Sequence, residues 1–155
     1  MKVSEIMTSP VQYCGPDTNL AAAACMMWDS DCGILPVVSH EGKVIGMITD
    51  RDICMSVATK GLIASAISVW ETSSGKVYSC SPDDDVREAL KTMAASRVRR
   101  LPVVDEEGML LGLLSLNDLV LLAADTKGKK APAISYEDVV NTLKAISAHR
   151  VLTAA

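Results

Sequence analysis

The stretch GMITDRDI, residues 46–53, starts as an apolar strand and turns polar at Thr49, Asp50, Arg51 and Asp52. Residues 112–119 read GLLSLNDL, with Ser115 where Thr49 stands and Asp118 where Asp52 stands, an offset of 66 residues. At that offset the chain aligns with itself without a gap. VQYCGPDTNL (11–20) meets VYSCSPDDDV (77–86), ILPVV (34–38) meets RLPVV (100–104), and His40-Glu41-Gly42 meets Glu106-Glu107-Gly108. Internal similarity of this kind marks a duplicated structural unit. Two copies are too few for a solenoid, so a pair of units is expected.

Each copy reads the same way. A short extended stretch around Val11 or Val77 comes first. The steps Pro16-Asp17 and Pro82-Asp83 then read as helix starts, since proline suits the first turn and acids suit the positive end of the dipole. The spacing predicts helices over about residues 17–30 and 83–97, with Val86, Leu90, Met93 and Ala94 on one face of the second. Met26, Met27 and Met93 read as core filler. The Leu-Pro-Val-Val strand follows, with Pro36 or Pro102 near its start. A loop holding Gly42 or Gly108 predicts an antiparallel hairpin to residues 44–48 or 110–114. A second helix begins near Asp50 or Leu116. The fold class is α/β (α+β): two β-α-β-β-α repeats plus a C-terminal helix. The expected divisions are 1–60, 61–125, a polar linker 126–134, and a helix over 135–150. In that last helix Ser135 is the N-cap, Asp138 is three residues on, and Val139, Leu143 and Ile146 form a stripe.

Composition narrows the function classes. The chain has 155 residues, 49% hydrophobic, 3% aromatic and no Phe, so its core is aliphatic and methionine-rich. A net charge of −4 argues against nucleic acid as a partner. The lysines Lys127, Lys129 and Lys130 read as a solvated linker. No apolar run reaches the about 20 residues a membrane span needs. The opening MKVSEIMTSP has no apolar h-region, so no signal peptide is expected and a cytoplasmic location is. Cys14, Cys25, Cys32, Cys54 and Cys80 are odd in number with no CxxC pair, so they read as ordinary thiols.

Three readings of the polar strand end stand side by side. [ST]-x-x-[DE] is a capping box, and both copies fit it. An acid–base pair would need Asp50 and Asp52 to face one another, and no Ser-His-Asp or Cys-His set accompanies them. His40 falls in a hairpin loop and His149 in the terminal helix. No catalytic residue is therefore expected, and no enzyme. In the third reading the helix start, with its unpaired N–H groups, attracts a phosphate. The hydroxyl bonds a phosphate oxygen, and the carboxylate one turn on accepts from a ribose diol. Phosphate and ribose within one reach describe a nucleotide.

Over residues 3–124 the repeat resembles a tandem pair of cystathionine-β-synthase-type (CBS) domains. The resemblance rests on Ile6-Met7-Thr8, the LPVV strands, and the two glycine-led strand ends closing on [ST]-x-x-D. It implies repeats related by a pseudo-two-fold axis, with adenosine compounds bound in two clefts between them: AMP, ADP, ATP, S-adenosylmethionine or NAD. Carried over, the first cleft would use Thr49 and Asp52 with Tyr78, Arg99 and Arg100. The second would use Ser115 and Asp118 with Val11, Gln12, Gly33 and Ile34, and Arg51 could reach a phosphate there. On these residues the first cleft looks the better equipped. The resemblance implies a stand-alone regulatory module with an unknown regulated protein and no obligatory cofactor or metal. It also implies a homodimer formed through helices, which an apolar face of Leu119, Leu121 and Leu122 would support; the alternative is that these leucines only fill the intrachain core. The alternative is a ligand-free interaction or dimerisation module. The second copy opens with Glu71-Thr72-Ser73-Ser74-Gly75 instead of an Ile-Met-Thr step, so an irregular first strand is expected there.

Overall fold

The protein, described by a computed structural model, has defined structure over residues 1–124 and 132–148. Lys127, Lys129, Lys130 and His149 lie outside the described residues. The elements follow in the order α1 (Leu20–Asp29), β1 (Ile34–Val38), β2 (Val44–Thr49), α2 (Asp50–Lys60), α3 (Val86–Ser96), β3 (Arg100–Val104), β4 (Leu110–Ser115), α4 (Leu116–Leu122) and α5 (Tyr136–Ser147). They form two compact units. One holds residues 10–77 and 104–111, and the other holds 1–9, 78–103 and 112–155.

Each hairpin is its own two-stranded sheet. In the first, β1 and β2 are antiparallel, with Ile34 opposite Thr49, Leu35 opposite Ile48 and a bulge between Val37 and Val38. The extended stretches expected at Val11 and Val77 shorten to single parallel bridges, Cys14 to Val37 and Cys80 to Val103. The Cys14 and Cys80 N–H groups donate to the Pro36 and Pro102 carbonyls at 3.0 and 3.1 Å. The irregular opening of the second copy still makes its bridge. Ser74 pairs with Met47 as Thr8 pairs with Leu113. A Cβ on Gly46 would lie 2.9 Å from the Ser74 carbonyl oxygen, and one on Gly112 would lie 2.8 Å from that of Thr8. Both contacts are too close for any side chain, so the glycine that opens each strand end is needed for its bridge.

The Pro-Asp steps do not start the helices. They occupy the middle of turns, closed by Thr18 N–H donating to the Gly15 carbonyl and Asp84 N–H to that of Ser81, each at 3.2 Å. Proline at the second position of a turn is pre-set for it. The caps come three residues later, at Asn19 and Asp85. Downstream, Asp31 and Arg97 hold left-handed backbone, with φ of 48° and 55°. They are the same position in the two copies.

Each unit has its own core. The first buries Leu20, Ala23, Met27, Leu35, Val37, Ile48, Ile67 and Val69. The second buries Val3, Val86, Ala89, Leu90, Met93, Leu101, Val103, Leu114 and Leu119, and Ile134 and Val139 join it from the α5 segment. Helix α5 packs mainly on α3. Arg87 fastens the approach to it, donating from Nε to the Ala133 carbonyl at 2.9 Å and from Nη2 to that of Pro132 at 3.1 Å. The expected apolar face of α4 divides. Leu119 is wholly buried within its unit, whereas Leu121 is 85% exposed. A helix this short turns residues two apart to different sides. Among the described residues no helix is long and apolar enough to cross a membrane.

The divided face predicts unequal effects. Leu119→Ala should destabilise the fold by about 2–5 kcal/mol, and Leu121→Ala by about 0.5 kcal/mol or less. Urea unfolding followed by circular dichroism checks both.

A pH effect follows at α5. The Asp138 carboxylate lies below its ordinary range, first because the Ser135 N–H donates to it, then through the Ser135 hydroxyl, with Arg87 adding a smaller attraction. A depressed folded-state value adds stability above the ordinary carboxylate range and loses it as pH falls through the folded value. Asp138→Asn should flatten the acid limb of the stability–pH curve below the ordinary value of 3.8, read as thermal midpoints between neutral and acid pH.

Candidate ligand-binding site

The two strand ends are built alike. At Thr49 the side-chain oxygen accepts the Asp52 N–H at 3.1 Å. Asp52 Oδ2 in return accepts the Thr49 N–H at 3.0 Å and the Thr49 hydroxyl at 2.7 Å. At Ser115 the same three bonds measure 3.2, 2.8 and 2.7 Å. Both are complete capping boxes. The capping reading is therefore true of both, and each hydroxyl already donates to its own acid. All four residues are half-buried, so none is sealed from solvent. In each box the acid takes both bonds on one oxygen, Oδ2.

The strand that precedes each box closes the corner. The Asp50 N–H donates to the Gly33 carbonyl at 3.1 Å, and the Leu116 N–H to the Arg99 carbonyl at 2.8 Å. Within the first unit, Thr49 and Asp52 thus stand beside Gly33 and Ile34. Within the second, Ser115 and Asp118 stand beside Arg99 and Arg100. Each hydroxyl–acid pair lies next to the Leu-Pro strand of its own copy. The other expected residues divide between the units. Val11 and Gln12 belong to the first, half-buried and exposed respectively, and Tyr78 belongs to the second, where it packs on the core.

Asp50, weighed in the sequence only as half of an acid–base pair with Asp52, instead caps the helix start with its own side chain. Its Oδ1 accepts the Arg51 N–H at 2.7 Å. The first three N–H groups of α2 therefore all have partners inside the chain. A Cβ on Gly33 would meet the Asp50 carboxylate at 2.8 Å. The sequence shows an acid directly after the N-cap, but not that it lies against Gly33, the residue just before β1.

A cavity of about 420 Å³ in the first unit is lined by Ala24, Met27, Trp28, Asp31, Cys32, Gly33, Asp50 and Ile53. It shares Gly33 and Asp50 with the corner but includes neither Thr49 nor Asp52. The buried thiols are quiet: burial pushes Cys14 up to about 11 and Cys80 up to about 12. His40 is exposed, 3.4 Å from Asp17. Among the described residues no cluster of His, Cys, Asp and Glu could hold a metal.

Duplicated hairpin–helix units with a hydroxyl–carboxylate pair at each strand end define a tandem-repeat architecture. The CBS domain family matches residues 3–59 and 69–125, and the chain belongs to that family. It is 31% identical over 139 residues to the CBS domain-containing protein YhcV of Bacillus subtilis, covering 88% of this chain and 97% of the relative. Its fold is similar to the CBS domain pair of protein MJ0100 in complex with 5′-methylthioadenosine and S-adenosylmethionine. The TM-score is 0.72 at 23% identity, over 79% of this chain and 94% of that one. It is also similar to the CBS domain protein PAE2072 from Pyrobaculum aerophilum complexed with AMP. That TM-score is 0.69 at 19% identity, over 77% and 90% of the two chains.

The cap itself is testable. Thr49→Ala should cost about 1 kcal/mol of stability, and Thr49→Ser should restore most of it, read from urea midpoints without ligand.

Proposed function

We propose that this protein is a regulatory module that binds an adenosine compound and passes its occupancy to a partner protein. The candidate ligands are AMP, ADP, ATP, S-adenosylmethionine and NAD. The observation that carries the reading is the pair of half-exposed hydroxyl–carboxylate corners, one in each CBS domain. A ribose diol can donate to the open oxygen of Asp52 or Asp118 without breaking the cap. That two CBS proteins of this fold bind adenosine compounds supports the choice of ligand class. Tyr78 would contribute an aromatic surface for a purine, and Arg99 and Arg100 would contribute charge toward phosphate. Val11, Gln12, Gly33 and Ile34 would supply backbone and apolar contacts to a base. The same reading makes the protein a cytoplasmic homodimer and not an enzyme.

One observation favours a second reading, a protein-interaction module without a small ligand. Ser135 and Asp138 repeat the capping box at the start of α5, far from either LPVV strand in sequence. The motif thus caps helices here whether or not a ligand is involved.

Calorimetry and a thermal-shift panel with AMP, ATP, NAD and S-adenosylmethionine separate the two. A ligand at 100 times its dissociation constant should stabilise the fold by about 2.7 kcal/mol. Asp52→Ala should weaken binding about ten- to hundredfold, the effect of losing hydrogen bonds to a charged group. Leu121→Ala should leave binding unchanged. Silence across the panel would favour the interaction module.

A further inference from the structure

The two copies keep one backbone and reverse its charge. At equivalent positions the first copy carries Asp31, Gly33, Ile34 and Asp50, and the second carries Arg97, Arg99, Arg100 and Leu116. The backbone match is close at Asp31 and Arg97, both left-handed. It is equally close at the corner, where the Gly33 and Arg99 carbonyls accept the first N–H of α2 and α4. The difference lies in the side chains.

In the first copy, the place an anion would take at the start of α2 is occupied. Asp50 Oδ1 accepts the Arg51 N–H at 2.7 Å, Gly33 accepts that of Asp50, and Thr49 accepts that of Asp52. The Asp50 carboxylate also lies over Gly33, 2.8 Å from where a Cβ on that residue would sit. A phosphate arriving here would meet a fixed negative charge and no vacant N–H. The counter-charge is weak, since Arg51 is exposed and makes no ion pair with Asp50 or Asp52 among the described residues. In the second copy Leu116 offers no such charge.

We infer that Asp50 makes the first strand end select against phosphate, so that the adenosine compound held at Thr49 and Asp52 carries a neutral or cationic 5′ substituent. This rests on the adenosine reading above and narrows it. Like charges brought together in a binding site are costly, enough to exclude a wrong ligand. A thioether or sulfonium at the 5′ carbon meets no such repulsion, and a sulfonium is attracted.

The experiment is calorimetric titration of the full chain and its Asp50→Asn variant with AMP and with 5′-methylthioadenosine. Asparagine keeps an oxygen for the Arg51 N–H and removes only the charge, so the corner stays folded. The expected result is tighter binding of 5′-methylthioadenosine than of AMP by the native chain. In the variant, AMP affinity should rise at least about tenfold, with the thioether changing by less than about threefold. Asp50→Leu, which installs the residue of the second copy, should reproduce the gain for AMP. An unchanged AMP affinity, or an equal gain for both ligands, overturns the assignment to Asp50 while leaving adenosine binding intact. Absence of binding by either compound to native and variant alike overturns the adenosine reading itself and this inference with it.

Discussion

The hydrogen-bonded ring between an N-cap hydroxyl and an acid three residues on governs this architecture. It turns the chain from strand to helix at Thr49 and Ser115, and from loop to helix at Ser135. At each corner the first helical N–H donates to the carbonyl of a neighbouring segment: Gly33, Arg99 and Ala124 respectively. The ring satisfies the cap end, and the borrowed carbonyl satisfies the next donor. A helix start thereby becomes a fixed joint instead of a frayed end. The hairpin cores depend on it. Ile48 and Leu114, wholly buried, sit one residue before the joint, and a shift of one residue would turn them outward.

What the sequence disclosed follows the range of the interactions involved. The hairpins, the starts of α2, α4 and α5, and the methionine core are set by neighbours a few residues apart, and they stand where pattern places them. The starts of α1 and α3 do not. Pro-Asp is compatible with both a helix start and a turn, and the deciding bonds are Thr18 to Gly15 and Asp84 to Ser81. Asn19 and Asp85 then cap better than the prolines could begin. Leu119, Leu121 and Leu122 read as one apolar face, open to a dimer or to the intrachain core, because so short a helix gives too little periodicity to separate them. The packing of α5 on α3 was not legible at all, because it joins segments about 50 residues apart.

The candidate site was named partly from motif spacing and partly from the family resemblance. Thr49, Asp52, Ser115 and Asp118 could be named from spacing alone. Asp50 could not be weighed, because its effect depends on the Gly33 carbonyl and on the absence of a side chain there. The family resemblance, not spacing, carried Tyr78, Arg99 and Arg100 over to the first strand end. Within its own unit each corner has different neighbours: Arg99 and Arg100 stand beside Ser115, and Asp50 stands beside Thr49.

Complete satisfaction of the corner also sets the terms for any ligand. Each donor and acceptor in the ring already has a partner, so binding here is an exchange of hydrogen bonds rather than the filling of vacancies. The net gain of an exchanged bond is about 0.5–1.5 kcal/mol, so a ligand that merely replaced the Thr49–Asp52 bonds would gain little and would lose the cap. A ligand using the second carboxylate oxygen adds bonds without breaking any. The corner therefore favours a group with adjacent hydroxyl donors over one that needs the N–H groups of the helix.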